Sequence, residues 1–201
     1  MRSFARILAL GAGALIVLGL YGCPFMPDQD DGGGNGGVVI TFEPRTSPEN
    51  LCENLMSAYK ERSIVEYESL LAEDFTFYFS EEDQSRPEIP EQWGRNEEIE
   101  AHEGMFDGEY VQTLSLDFVY DDPVFDEEHF DGVDSLWKVE VTNMDLELFG
   151  TPRSHPGEAP QLYKVEDGQV TFRFRKMHYA HSNGDPIWMI AEMEETTTSS
   201  P

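Results

Sequence analysis

The sequence predicts an α+β fold in which three N-terminal helices pack on a bent antiparallel sheet. Three observations predict it. Between Thr46 and Phe106, apolar residues recur at three- and four-residue spacing behind capping residues. From Leu114 to the end they alternate with polar ones instead. Within one alternating run the parity changes, from Trp137, Val139 and Val141 to Met144, Leu146 and Leu148. A β-bulge produces such a change, and bulges bend sheets. Helices followed by strands are the order of a layered α+β domain. A curved sheet must cover its concave face, and the amphipathic helices are the segments that can do so.

Val38 to Phe42 is a short β-prone lead-in. A helix starts after Ser47, which can cap, with Pro48 suited to the first helical position and Glu49 at the positive dipole end. Leu51, Leu55 and Tyr59 then share a face with Cys52 and Met56. A break at Arg62-Ser63 separates a second helical run carrying Ile64, Tyr67, Leu70 and Leu71 on one side. Asp74 to Phe79 switches to period two and reads as a strand. A polar loop with Pro87 and Pro90 leads to a third helix, capped by Asn96, whose face holds Ile99, His102 and Phe106. The sheet then follows: Leu114 to Tyr120, the bulged run Trp137 to Leu148, Val170 to Phe174, and a last strand with Trp188 and Ile190 after the turn signal Ser182-Asn183-Gly184-Asp185-Pro186.

This order resembles the nuclear transport factor 2-like superfamily, including SnoaL-like proteins, over about residues 47–194. The stretches that carry the resemblance are NLMSAYKERSIVEYESLLAEDFTFYFS, a helix pair entering the first strand, WGRNEEIEAHEGMF, the third helix, and VTFRFRKM with GDPIWMIAEMEE, the closing hairpin. The resemblance implies a cone with a pocket at its wide end. It implies no single function, because that fold serves enzymes, receptor domains and dimerisation modules alike.

The N-terminus sets the expected compartment. Arg2 and Arg6 precede a wholly apolar or glycine stretch, Ile7 to Leu20, which is the layout of a secretory signal. It is shorter than the roughly 20 apolar residues of a spanning helix. Leu20-Tyr21-Gly22-Cys23 resembles a bacterial lipobox. The resemblance implies that Cys23 becomes the first mature residue and carries lipid, tying the chain to a membrane of the bacterial cell envelope. With Pro24 rather than aspartate after the cysteine, it implies the outer membrane, facing the periplasm, in a host with two membranes. An ordinary secretory signal and an uncleaved helix are the alternatives. The domains expected are a signal over 1–22, an acidic Gly-rich tether over 23–37, one folded domain over 38–195 and a disordered tail over 196–201.

The chain has 201 residues and a formal charge of −27. Loss of the signal removes two of 13 basic residues and none of the 40 acidic ones, leaving −29. That charge argues against nucleic acid and anionic lipid as partners. An aromatic content of 12% argues against a disordered acidic chain. With Cys23 lipidated, Cys52 has no partner, so neither a disulfide framework nor a cysteine zinc site is expected.

No nucleophile elbow, P-loop, zincin helix or dinucleotide fingerprint is present, and no cofactor is implied. Enzymes of the resembling superfamily, such as ketosteroid isomerase and scytalone dehydratase, work with pocket acids, histidines and tyrosines. His102 is the weak candidate base here, with Glu98 one turn before it as the nearest partner carboxylate. A packed core histidine is the competing reading. Tyr59, Tyr67, Trp93, His102, Phe106, Phe172 and Trp188 could line a pocket for a flat apolar or cationic ligand, or simply form the core. No metal site is expected. His178 and His181 have the spacing of a metal pair but no third ligand, and the acidic loop Asp121 to Asp134 lacks ordered ligand spacing. Arg173 and Arg175 should face away from Phe172 and Phe174, to pair with glutamates across strands or to form a basic stripe for an acidic partner or a second copy. The expectations that result are a non-catalytic ligand- or protein-binding module, a lyase or isomerase using His102, or a homodimerisation module.

Overall fold

The computed structural model describes residues 41–129, 136–151 and 158–196. The expected signal, Cys23, the tether, the lead-in residues 38–40 and the tail after Thr196 lie outside the described residues. Helix α1 spans Pro48–Glu61, α2 Ile64–Leu70, and the one-turn α3 Glu81–Gln84. Helix α4 spans Arg95–Phe106. The strands are β1 (Leu71–Tyr78), β2 (Gln92–Gly94), β3 (Val111–Tyr120), β4 (Val124–Phe125), β5 (Leu136–Gly150), β6 (Gln161–Ala180) and β7 (Pro186–Glu195).

Local chemistry accounts for the helix ends. The Ser47 hydroxyl accepts the Asn50 N–H, and Pro48 opens α1. Arg62 ends it in the left-handed region at φ 53°, a conformation that glycine would adopt more readily. Its guanidinium donates to the carbonyls of Val111 and Gln112 at the start of β3, which holds it there. The next residue, Ser63, caps α2 by accepting from Glu66 N–H. The break expected at Arg62-Ser63 is therefore two caps back to back. Two boundaries differ from expectation. The strand after α2 begins at Leu71 rather than Asp74, because α2 passes into it without a loop. Helix α4 is capped by Gly94 rather than Asn96, with the Glu97 carboxylate accepting the Gly94 N–H at 3.2 Å.

One sheet holds all the strands, in the order β2-β1-β7-β6-β5-β3, with β4 also on β5. It is antiparallel at every pairing except β1 with β7, which run parallel. The expected all-antiparallel sheet is thus mixed. The helices lie between Pro48 and Phe106, interleaved with β1 and β2, and the first strand joins the sheet beside the last.

The bulge read from the parity change is present, and it is double. Between Val141↔Val170 and Met144↔Gly168, strand β5 carries an extra residue; between Met144↔Gly168 and Leu146↔Val165, β6 carries one. Asn143 at φ 54° and Asp167 at φ 55° are the left-handed residues at these points. Two adjacent bulges bend the sheet across both strands at one place.

Parity sorts the buried side chains onto two faces. The main core lies between helices and sheet: Leu51, Leu55, Tyr59 and Tyr67 from the helices meet Val139, Val141, Phe172, Phe174 and Ile190 from the strands. Each such aliphatic side chain fully removed from water is worth about 2 kcal/mol. On the opposite face a smaller cluster gathers Ala72, Leu136, Ile187, Met189 and Ala191.

Candidate functional site

Helix α4 brings Glu98 and His102 onto its buried face, one turn apart, at 2% and 1% exposure. Helices α1 and α2 supply Tyr59 and Tyr67 to the same spot, and β2 supplies Trp93. The His102 Nδ1 lies 2.9 Å from the Glu98 carbonyl oxygen, which can only accept, so Nδ1 carries the proton. The other ring nitrogen, Nε2, then accepts from the Tyr59 hydroxyl at 2.5 Å. The Glu98 carboxylate accepts from the Tyr67 hydroxyl on one oxygen and from the Trp93 indole N–H, at 2.8 Å, on the other. One carboxylate oxygen also stands 3.5 Å from His102 Nδ1.

The rings pack as closely as the polar atoms. Tyr67 stacks on the His102 imidazole with centroids 3.9 Å apart and an angle of 18°. Tyr59 and Phe106 meet that pair edge-on at 5.4 to 6.0 Å, and each other at 5.2 Å. Such edge-to-face pairs each add about 0.5–1.5 kcal/mol beyond the area they bury.

Burial sets the protonation states. It pushes the Glu98 carboxyl up to about 7, against the hydrogen bonds from Tyr67 and Trp93 that favour the ionised form. It drives His102 down to about 3, against the carbonyl that accepts its proton. It also raises both tyrosines well above their ordinary value, helped by the charge of Glu98. At neutral pH the imidazole is a neutral hydrogen-bonding element whose lone pair is already occupied by Tyr59.

Of the seven residues expected to line a pocket, the structure joins Tyr59, Tyr67, His102 and Phe106 directly and Trp93 through Glu98. Phe172 packs instead with Phe118 and Phe174, and Trp188 with Trp137. Glu98, expected only as the nearest carboxylate, is the hub of the group. Residue spacing revealed its place one turn from His102. Nothing in the local pattern announced the tyrosine and the indole that reach it from 31 and 5 residues away.

The expected basic stripe is engaged within the chain. Arg173, itself 8% exposed, donates to Asp126 at 2.9 Å and Glu194 at 2.8 Å, and lies 3.4 Å from Glu192, its partner across the strands. Arg175 holds Asp74 through both carboxylate oxygens. Cross-strand pairing, rather than a free stripe, describes both. Asp126 also meets His129 at 3.0 Å. Burial alone would raise the Asp126 carboxyl, but the bonds from His129 and Arg173 outweigh it and hold it below the usual range. Asp126, Glu128 and His129 bring their donor atoms within 4.8 Å of one another. Arg173 already occupies the buried member of that group. The hairpin that carries His178 and His181 closes with the expected turn, His181 N–H to Asp185 and Gly184 N–H to His181.

No family model matches the chain, and no curated protein matches it. Solved structures similar to it include a conserved protein from Planctomyces limnophilus, 16% identical, with 73% of this chain and 89% of that one covered at a TM-score of 0.46. A ketosteroid isomerase-like protein from Erwinia carotovora atroseptica is also 16% identical, with 76% and 94% covered at 0.44. An NTF2-like protein of unknown function in nutrient uptake from Rhodospirillum rubrum is 16% identical, with 73% and 94% covered at 0.42. Likenesses at this level of identity concern the fold and carry nothing about activity.

Proposed function

We propose that the chain is a lipid-anchored protein of the bacterial cell envelope whose folded domain is a non-catalytic binding module. One observation carries the second half of this reading: the His102 group is closed. A general base must reach the proton it abstracts. Here the imidazole lone pair is taken by Tyr59, the two Glu98 oxygens accept from Tyr67 and Trp93, and the imidazole, the carboxylate and both tyrosines are at most 3% exposed. The rings that could have lined a cavity stack on one another, so the surface is left as the working part. The anchoring rests on the lipobox-like Leu20 to Cys23.

The chemistry of Glu98, His102 and Tyr59 is also what a lyase or isomerase would use, and a titration separates the two. In a closed core, the His102 ring signals in NMR stay those of a neutral Nδ1–H imidazole from pH 8 to below pH 5. Modification by diethyl pyrocarbonate should spare His102 while reaching the exposed His129. A His102 that titrates near pH 6.5, or reacts as fast as His129, overturns the non-catalytic reading. The anchor is tested by Cys23→Ser, expected to release the chain from the membrane fraction. Retention after that change would point to an uncleaved helix.

A further inference from the structure

Among the described residues, five large apolar side chains stand exposed: Val65, Val119, Val124, Phe125 and Leu162. Three of the five fall within seven residues. Val119 is 62% exposed, Val124 48% and Phe125 39%. They sit on a single edge of the sheet. Strand β3 pairs with the far half of β5, and β4 with its beginning. The stretch between is fastened as well: Asp121 N–H donates to Glu140 and Asp126 N–H to Leu136. Residues 119–126 thus form one fixed rim along β5, and among the described residues no strand pairs with its outer side. Phe125 rests an edge on Trp137, with centroids 6.4 Å apart, which fixes its direction.

Natural edges that stand open usually carry lysine or other charge to prevent pairing. This one carries acid around its apolar side chains: Asp117, Asp121, Asp122, Glu127 and Glu128 are all exposed. The neighbouring cation, Lys138 opposite Val124, is held by Glu140 at 3.3 Å. Apolar contacts framed by one sign of charge select a partner of the opposite sign. A second copy of the chain would set five carboxylates against five, and an anionic lipid surface would be repelled in the same way.

We infer that the β3–β4 edge is the docking surface for an extended basic segment of a partner protein, whose apolar residues cover Val119, Val124 and Phe125 while its lysines or arginines meet the surrounding carboxylates. The inference rests on the reading of the domain as a binding module and names the kind of partner that module takes. Sheet-edge recognition of this sort draws affinity from main-chain pairing and specificity from alternate side chains. Pro123 has no N–H to offer, so the pairing is confined to β3 and β4 on either side of it.

The probe is a fluorescein-labelled decapeptide alternating lysine and valine, titrated into the purified full-length chain at low salt and followed by anisotropy. Binding is expected, weakening as salt rises. The combined change Asp121→Asn, Asp122→Asn, Glu127→Gln and Glu128→Gln should weaken it at least tenfold. Val124→Ser with Phe125→Ser should weaken it several-fold. The control Glu97→Gln, Glu100→Gln and Glu103→Gln, on the exposed side of α4, should change it less than twofold. All are surface changes, and an unaltered melting curve confirms folding. No binding at millimolar peptide, or equal loss from the α4 control, overturns the assignment. That failure is distinct from failure of the binding-module reading, which is decided by the titration of His102.

Discussion

Two buried polar clusters sit on opposite faces of the same sheet and solve the same problem differently. Under the helices, Glu98, His102, Tyr59, Tyr67 and Trp93 avoid charge: burial pushes the acid up and the base down, and hydrogen bonds satisfy what remains. On the outer face, Arg173 keeps its charge among Asp126, Glu192 and Glu194, with Glu194 half open to water. Enclosure makes the difference. Where no solvent reaches, an ion is dearer than its neutral form. Where opposite charges and water are both at hand, the ion persists.

Removing the charge from the outer cluster should do the most damage. Arg173→Leu leaves three carboxylates facing one another, one of them, Asp126, almost wholly buried. Breaking a buried ionic group in this way costs about 3 kcal/mol, below the top of the usual range because Glu194 is half exposed. Urea unfolding at pH 7 measures it. The loss should shrink below pH 4, because the Asp126 carboxyl is held below its ordinary 3.8. Its contribution is present above that value and disappears as the pH falls through its folded-state value. An Arg173→Leu protein as stable as the parent at pH 7 would mean the outer cluster is ornamental.

The inner cluster is expected to respond to pH in two opposing ways. His102, near 6.5 when unfolded and about 3 when folded, makes stability rise with pH across that window, since the unfolded chain binds the extra proton. Glu98, near 4.5 when unfolded and about 7 when folded, makes stability fall with pH across its own window. Between pH 4.5 and 6.5 the two nearly cancel. Glu98→Gln should therefore gain on the parent as pH rises through that range, and His102→Phe should lose, each by on the order of 2 kcal/mol. Two variants that track the parent in parallel would show that neither group is shifted.

How much of this could be read from the sequence follows from the range of each interaction. The cap of α1 was legible because Ser47 and Pro48 act on atoms within three residues, whereas at Arg62-Ser63 only the break was read and not the cap that Ser63 provides. The bulge was legible because parity is a local count. His102 on a buried face, with Glu98 a turn away, followed from helical period alone. Periodicity assigns a residue to a face but does not name what it meets there. The bond between Tyr59 and His102 spans 43 residues and that between Arg173 and Asp126 spans 47. The parallel β1–β7 pairing joins the two ends of the domain. Gly150 is a similar case: a Cβ there would stand 2.4 Å from the Tyr110 carbonyl oxygen, a demand set by a neighbour forty residues away in the chain. Strand β2 and helix α3 are too short to show any period.

A smaller effect sharpens the inner half of the contrast. Tyr67→Phe removes one of the two donors to Glu98 while keeping the ring that stacks on His102. A hydrogen bond to an ionised acceptor is worth about 2 kcal/mol, one to a neutral acceptor about 1. Because Glu98 changes state near pH 7, the cost of the substitution should grow from pH 5 to pH 8. The same loss should push the Glu98 carboxyl further up, since the Tyr67 bond favours the ionised form. A cost independent of pH would mean that Glu98 is in one state throughout.

The smallest effect belongs to the outer face, and it tests whether enclosure rather than ion pairing is what matters there. Arg175 holds Asp74 with two short bonds, at 2.8 and 2.7 Å, from one guanidinium nitrogen to both carboxylate oxygens. Yet the Asp74 side chain is 64% exposed. Exposed pairs lose most of their Coulomb energy to water and to the ordering of two side chains. Arg175→Gln should then cost less than about 1 kcal/mol and lose what effect it has in high salt. Arg173→Leu should keep most of its cost there, because its partner Asp126 is shielded from the solvent. Equal losses from the two substitutions would show that the count of ion pairs, not their burial, governs this face. The outer cluster would then be no different in kind from the paired charges that surround it.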